Sequence, residues 1–269
     1  AQGNDITDYY HDYAGRTIAT VKGDLWTEYR YDKNGNNISR ESYIRTAQNE
    51  KINQETVTYT YDLQNRLTEV QTDGMTAEYT YGIGNLRLSK TVNGVTTRFI
   101  WDRGNIAAET DAGGTVTNRY YWGRELIASR QGEALTYYRT NEHGDVVSWG
   151  SETYSYDAWG NQSSQTNDTN PFRYCGEYYD DETGFIYLRN RYYEPDAGRF
   201  LTEDPARDGL NWYVYCNSNP VMFVDPWGLA IWKLTELADE RGISVDWNGE
   251  SGSKWSVIVG EHKITLGQQ

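Results

Sequence analysis

Two cysteines and three histidines are all that 269 residues provide, which limits the available chemistry before any motif is sought. Cys175 and Cys216 are far apart and show neither metal nor redox spacing, so they read as two buried thiols, with a disulfide the lesser alternative. His11, His143 and His262 are scattered and form no H-E-x-x-H pattern, so no metal site is expected. Gly82-Ile83-Gly84-Asn85 is too short for a dinucleotide loop and no helix pattern follows it. Neither G-x-S-x-G nor a phosphate-cradling G-x-x-x-x-G-K is present, so the expected cofactor is none. No apolar run approaches the ~18 residues of a membrane span. The start, Ala1-Gln2-Gly3-Asn4-Asp5, lacks the basic and apolar regions of a signal peptide and reads as a cut from a longer precursor. Basic charge is also in deficit: a net charge of −14 would repel phosphate backbones and anionic lipid, so no nucleic-acid partner is expected.

What the chain has in abundance is tyrosine: 24, beside 10 tryptophans and only 5 phenylalanines. A tyrosine ring buries as well as a phenylalanine ring, but its hydroxyl needs a partner, which suits half-wet sheet faces. Through residues 1–160 a unit Y-x-Y-D-x-x-G-[NR] recurs. Clear copies are Tyr29-Arg30-Tyr31-Asp32-Lys33-Asn34-Gly35-Asn36, Tyr59-Thr60-Tyr61-Asp62-Leu63-Gln64-Asn65-Arg66 and Tyr154-Ser155-Tyr156-Asp157-Ala158-Trp159-Gly160-Asn161. Degenerate copies start at Tyr9, Tyr79 and Phe99. Residues i and i+2 of a strand share a face, so Tyr59 and Tyr61 should stack on one side, with Thr58 and Thr60 on the other. Aromatic pairs across neighbouring strands would then stabilise the sheet. Aspartate with glycine or asparagine supplies the turn, and Asp73-Gly74, Asn93-Gly94 and Gly113-Gly114 mark further ones. The prediction is an antiparallel meander with no convincing helical period before residue 230.

All five prolines fall between Pro171 and Pro226, two of them in Asp204-Pro205 and Asp225-Pro226. That density suits an irregular, tightly held segment rather than a central strand. Within it stand N-R-Y-Y-E-P, G-R-F-L-T-E-D-P and N-P-V-M-F-V-D-P-W-G-L. These motifs and the tyrosine units together resemble the YD-repeat proteins of the Rhs family, which includes the C-components of bacterial toxin complexes and, more distantly, teneurins. The resemblance covers the first 229 residues. It implies an all-β fold: a YD-repeat β-hairpin meander over 1–170 forming part of a hollow shell, an Rhs-associated core plug over 171–229, and a variable C-terminal segment over 230–269. It further implies self-cleavage of aspartyl type, a single-turnover reaction, supported by Arg191, Asp204 and Asp225 and cutting between Leu229 and Ala230.

Two carboxylates held close together cannot both ionise easily, so one keeps a proton while the other acts as a base. Arg191 could orient one of them through a two-pronged hydrogen bond. Read from the residues alone, Asp-Pro is a common turn opener, and Arg189, Arg191 and Arg199 would serve as partners of structural carboxylates or ring faces. Glu203, Asp196 and Asp208 read as solvated and Glu194 as a turn-side charge. The scattered tryptophans read as repeat core in preference to a sugar-stacking surface.

After Leu229 the pattern changes. Ile231, Leu234, Leu237 and Ala238 recur at helical spacing, with Gly242 a plausible stop. Residues 244–249, 255–259 and 263–266 read as strands, giving a small α+β tail. The expected partners are this C-terminal segment and the rest of the shell, with a cell-surface glycan or a neighbouring bacterial cell as further ones, and the expected setting is secreted or bacterial cell surface. Two readings stand beside self-cleavage: a non-catalytic adhesion or carbohydrate-binding module, and a carrier of a short C-terminal effector or toxin.

Overall fold

The computed structural model describes residues 7–163, 168–207 and 209–233, and the backbone of 243–246, 255–259 and 262–266. The units that start at Tyr9, Tyr29, Tyr59 and Tyr154 build their exit turns by one set of bonds. In β5 (Lys51–Tyr61), Val57 and Tyr59 are buried while Thr56, Thr58 and Thr60 are exposed. At the exit, Asp62 Oδ1 accepts the amides of Gln64 and Arg66, and Oδ2 accepts Arg66 Nε at 2.7 Å. Asp12, Asp32 and Asp157 cap their own turns in the same way, with Arg16, Asn36 and Asn161 closing them. The unit therefore ends in asparagine or arginine because that side chain donates a hydrogen bond to the second oxygen of the capping aspartate.

The preference for tyrosine and tryptophan over phenylalanine has an equally local cause. Tyr61 donates its hydroxyl to the carbonyl of Asn37 at 2.7 Å, Tyr31 to Thr17 at 2.8 Å and Tyr81 to Leu67 at 2.5 Å. Trp101 and Trp122 use their indole N–H groups on Arg87 and Ile106. Thr17, Asn37, Leu67 and Arg87 are the places where strand register shifts, with the pairings His11↔Thr17, Tyr31↔Asn37, Tyr61↔Leu67 and Tyr81↔Arg87. A phenylalanine could fill the same space but would leave the carbonyl without this donor.

Fifteen consecutive strands, from β1 (Thr7–His11) to β15 (Glu152–Thr153), pair antiparallel in strict chain order as one open sheet. A second sheet follows: β16 (Tyr178–Asp180), β17 (Phe185–Leu188), β18 (Arg191–Glu194) and β19 (Arg199–Phe200). The fold is nearly all β, and helical structure among the described residues is confined to three short 3-10 turns.

Ring packing differs from the cross-strand stacking expected. Across its strand pair Tyr59 faces Val70, and Tyr79 faces Lys90. Their ring partners come from the second sheet instead: Phe185 lies 5.9 Å from Tyr59, and Tyr192 lies 5.5 Å from Tyr79. Tyr178 meets Phe99 at 5.3 Å and Phe172 meets Tyr120 at 4.8 Å. Tyr138 and Trp149 are directly opposed across a strand pair with tilted rings. The large sheet thus turns its aromatic face onto residues 172–201, and the buried core is the seam between the two.

Charges cross the same seam. Arg87 and Asp180 are fully enclosed and form a two-pronged ion pair, with Lys90 also on Asp180. Glu194, expected as a turn-side charge, is instead 3% exposed and paired with Arg40. Burial at the end of β18 requires that partner. Asp196 is exposed, as expected, while Asp208 lies outside the described residues. Both cysteines are free; Cys216 is buried but Cys175 is only partly so.

Beyond Leu229, β20 (Phe223–Val224) pairs with β21 (Trp232–Lys233), so the chain is extended where the helical spacing began. The rest of that helix, Leu234 to Gly242, lies outside the described residues. The expected tail strands are present as β22 (Ile243–Asp246), β23 (Trp255–Val259) and β24 (His262–Leu266), an antiparallel set.

Candidate active site

Three separate turns present Arg191, Asp204 and Asp225, and all three side chains are buried, at 5%, 8% and 2% exposure. Arg191 opens β18 directly after the tight β17–β18 reversal, in which Leu188 pairs with Arg191. All three of its guanidinium nitrogens donate. Nε donates to the Gly228 carbonyl, Nη1 to the Trp212 carbonyl at 3.1 Å, and Nη2 to Asp225 Oδ2 at 3.2 Å. The Phe200 ring lies 3.5 Å beneath it.

Asp225 sits at the head of D-P-W-G-L and folds that segment back over its own carboxylate. Oδ1 accepts the amide of Leu229 at 3.0 Å and the amide of Ala230 at 3.1 Å. One carboxylate oxygen therefore touches the nitrogen of the Leu229–Ala230 peptide bond. Gly228 makes the reversal possible. It sits at φ 64, and a Cβ there would lie 3.0 Å from both the Arg191 nitrogen and the Leu188 oxygen.

Asp204 caps its own turn: Oδ1 accepts the Ala206 amide at 2.9 Å, and its amide donates to Trp212 at 2.9 Å. It therefore shares the Trp212 carbonyl with Arg191, and its charge acts on both Arg191 and Asp225. Burial raises the Asp225 pKa above the ordinary aspartate value, against the pull of Arg191 and the two amides; the charge of Asp204 raises it further. Burial also lowers the Arg191 pKa, against the opposing pull of Asp225 and Asp204. Enclosure thus works against both charges of the pair even though they are in contact, and the carboxylic acid is the one able to become neutral, since a guanidinium does not deprotonate in proteins.

The other arginines have structural partners. Arg189 binds Glu177 at 2.7 Å and the carbonyls of Gly104 and Pro226; Arg199 binds the Gly15 carbonyl and Asn211. Glu203, read as solvated, is half-buried and paired with Arg207. Sequence reasoning did not single out Gly228, Phe200 or the Trp212 carbonyl. The first two stand in D-P-W-G and G-R-F and were within reach, whereas a backbone carbonyl carries no sequence signal.

No family model matches the chain. It is 38% identical over 266 residues to the tRNA nuclease WapA of Bacillus subtilis (strain 168), covering 88% of this chain and 11% of that protein. It is 44% identical over 63 residues to the toxin protein Tse5 of Pseudomonas aeruginosa, covering 23% of this chain and 5% of the other. A solved structure, TcdB2-TccC3 without its hypervariable C-terminal region, superimposes with a TM-score of 0.49 at 17% identity, covering 83% of this chain and 15% of that one. The chain spans only 9% to 11% of the length of the WapA relatives it matches.

Proposed function

This chain belongs to an Rhs-related family of YD-repeat proteins, and from that premise we propose that it is the shell-and-plug part of a secreted toxin carrier that cuts itself after Leu229. The single observation that carries the reading is the contact of Asp225 Oδ1 with the Ala230 nitrogen, inside a buried site that also holds Arg191 and Asp204. The cargo in this reading is the segment after Leu229.

Hydrolysis needs a base for water and an acid for the departing amine. Asp204 takes a proton from water as the water oxygen bonds to the Leu229 carbonyl carbon. As the carbon is attacked the Ala230 nitrogen turns pyramidal and gains a lone pair. Asp225, until then the acceptor of its N–H, delivers a proton to it as the carbon–nitrogen bond breaks. The burial that raises the Asp225 pKa makes the proton-bearing form more accessible. Arg191 holds the Gly228 carbonyl and the Asp225 carboxylate, which fixes the bond against its acid. Antiparallel pairing of β20 with β21 spans the proposed cut, so a severed segment would remain bound until it is unfolded.

Intact-mass measurement of the whole chain tests this. Wild type should give two species, 1–229 and 230–269, and Asp204→Asn and Asp225→Asn a single uncut chain. Wild type that remains one chain at every pH would end the reading.

A further inference from the structure

The turn that follows β13 (Ala134–Thr140) is a repeat unit with its polar ends exchanged. In the units that start at Tyr9, Tyr29, Tyr59 and Tyr154 an aspartate opens the turn and an asparagine or arginine closes it; here Asn141 opens and Asp145 closes. Asn141 Oδ1 accepts the amides of His143 and Asp145 at 3.0 and 2.9 Å, and Nδ2 donates to Asp145 Oδ2 at 2.8 Å. The exchange frees the other oxygen of Asp145 to serve the plug. That oxygen accepts the Cys175 amide at 2.9 Å and lies 2.8 Å from His143 Nδ1.

Cys175 Sγ lies 3.6 Å from the same ring nitrogen and 3.7 Å from the Tyr215 hydroxyl. The ligand atoms of His143, Asp145 and Cys175 all fall within 4.8 Å of one another. On the far side of the ring, His143 Nε2 sits 2.8 Å from the Pro220 carbonyl, which can only accept, so Nε2 carries the hydrogen. Nδ1, Oδ1 and Sγ converge on one point, where a proton on Nδ1 serves the carboxylate and where a cation could take that proton's place. A nucleophile relay does not fit, because carboxylate and sulfur both meet Nδ1 while Nε2 is held by backbone.

We propose that His143, Asp145 and Cys175 bind a divalent cation of the zinc class. Imidazole, carboxylate and thiolate are the donors that such an ion takes, and a ring fixed through its other nitrogen is the usual outer partner of a ligating histidine. Zinc bonds in a tetrahedron would hold nitrogen and sulfur about 3.6 Å apart, the spacing present, and would open the Nδ1–Oδ1 contact from 2.8 Å to about 3.3 Å as the ion replaces the proton between them. Cys175 carries its side chain at φ 54, a left-handed conformation that only strong local constraint keeps in a non-glycine residue. Cys175 and Gly144, the residue between the other two ligands, also line a cavity of about 220 Å³ bounded by Trp122, Trp227 and Arg189, which brings solvent to one side of the cluster. On binding, the ring proton and the thiol proton leave to solvent. The ion would join the turn after β13 to the plug. The proposal does not depend on self-cleavage.

Cobalt(II) is the probe, added to the reduced, chelator-treated full chain. Wild type should develop thiolate-to-cobalt charge-transfer absorption, and the band should be retained in Cys216→Ser and lost in Cys175→Ser. His143→Gln and Asp145→Asn should each weaken binding about tenfold or more. Independently of how well any variant folds, zinc should slow alkylation of Cys175 in wild type, read by mass spectrometry. No band in wild type, a band that survives Cys175→Ser, or alkylation of Cys175 indifferent to zinc would overturn the assignment.

Discussion

Asp225 Oδ1 lies 3.1 Å from the amide nitrogen of Ala230, five residues ahead of it in the chain, and the same oxygen holds the Leu229 amide. A carboxylate that caps a turn in this way is common; one that does so with 2% exposure beside a buried arginine and a second aspartate is not.

Cleavage should depend on pH through Asp225. Burial raises its pKa, so the proton-bearing form persists above the ordinary aspartate range and fades as pH climbs through the raised value. Self-cleavage of wild type, followed by gel or mass, should therefore slow across that rise. The native state also binds this proton more tightly than the unfolded chain, so the stability tied to Asp225 is full at low pH and diminishes over the same interval. Asp225→Asn should lower the rate by about a hundred- to ten-thousand-fold, the usual range for a lost general acid.

Gly228→Ala should disturb both folding and cutting. The residue sits at φ 64 with no room for a Cβ beside Arg191 and Leu188. A strained residue of this kind costs about 1–3 kcal/mol. The expected result is a lower denaturation midpoint and slower cleavage, because the Gly228 carbonyl is the anchor of Arg191 Nε. Unchanged values for both would show that the tight reversal is dispensable.

The seam between the two sheets should rest on Arg87 and Asp180. Burial alone would raise the Asp180 pKa, but Arg87 and Lys90 outweigh it and hold it below the usual value. Its contribution is therefore present above the unfolded pKa and lost as pH falls through the folded one. Asp180→Asn leaves a fully enclosed guanidinium without its countercharge and should cost about 3–5 kcal/mol by chemical denaturation.

Tyr61→Phe removes only a hydroxyl, yet strands the Asn37 carbonyl at a register shift. A loss of about 1–3 kcal/mol is expected, compared with about 0.5 kcal/mol or less for an exposed change such as Thr58→Ser on the outer face of the same strand. Equal small effects for the two would mean that the tyrosine tips are not the reason for the repeat's composition.

Much of the fold was legible because its determinants are local. Tyr59 and Tyr61 share a face by the two-residue period of a strand, and Asp62 reaches the amides of Gln64 and Arg66 by turn geometry alone. The ring partners were not legible. Nothing in the repeat says that Tyr59 will meet Phe185 or Tyr79 will meet Tyr192, since those contacts join segments more than a hundred residues apart. Glu194 was misplaced for the same reason: its neutralising partner is Arg40, from a distant strand.

Strand, turn and their order were written into the amino-acid sequence by itself, because alternation, capping and hydroxyl tips act over a few residues. Arg191, Asp204 and Asp225 were named there through family motifs, but their burial, and the contact of Asp225 with the Ala230 nitrogen, were decided by tertiary packing. So was the meeting of Cys175 with His143 and Asp145, donors on separate turns whose spacing in the chain resembles no ligand pattern. Chain separation says nothing about spatial separation once a plug folds against a sheet, and both clusters lie where that folding brought remote turns together.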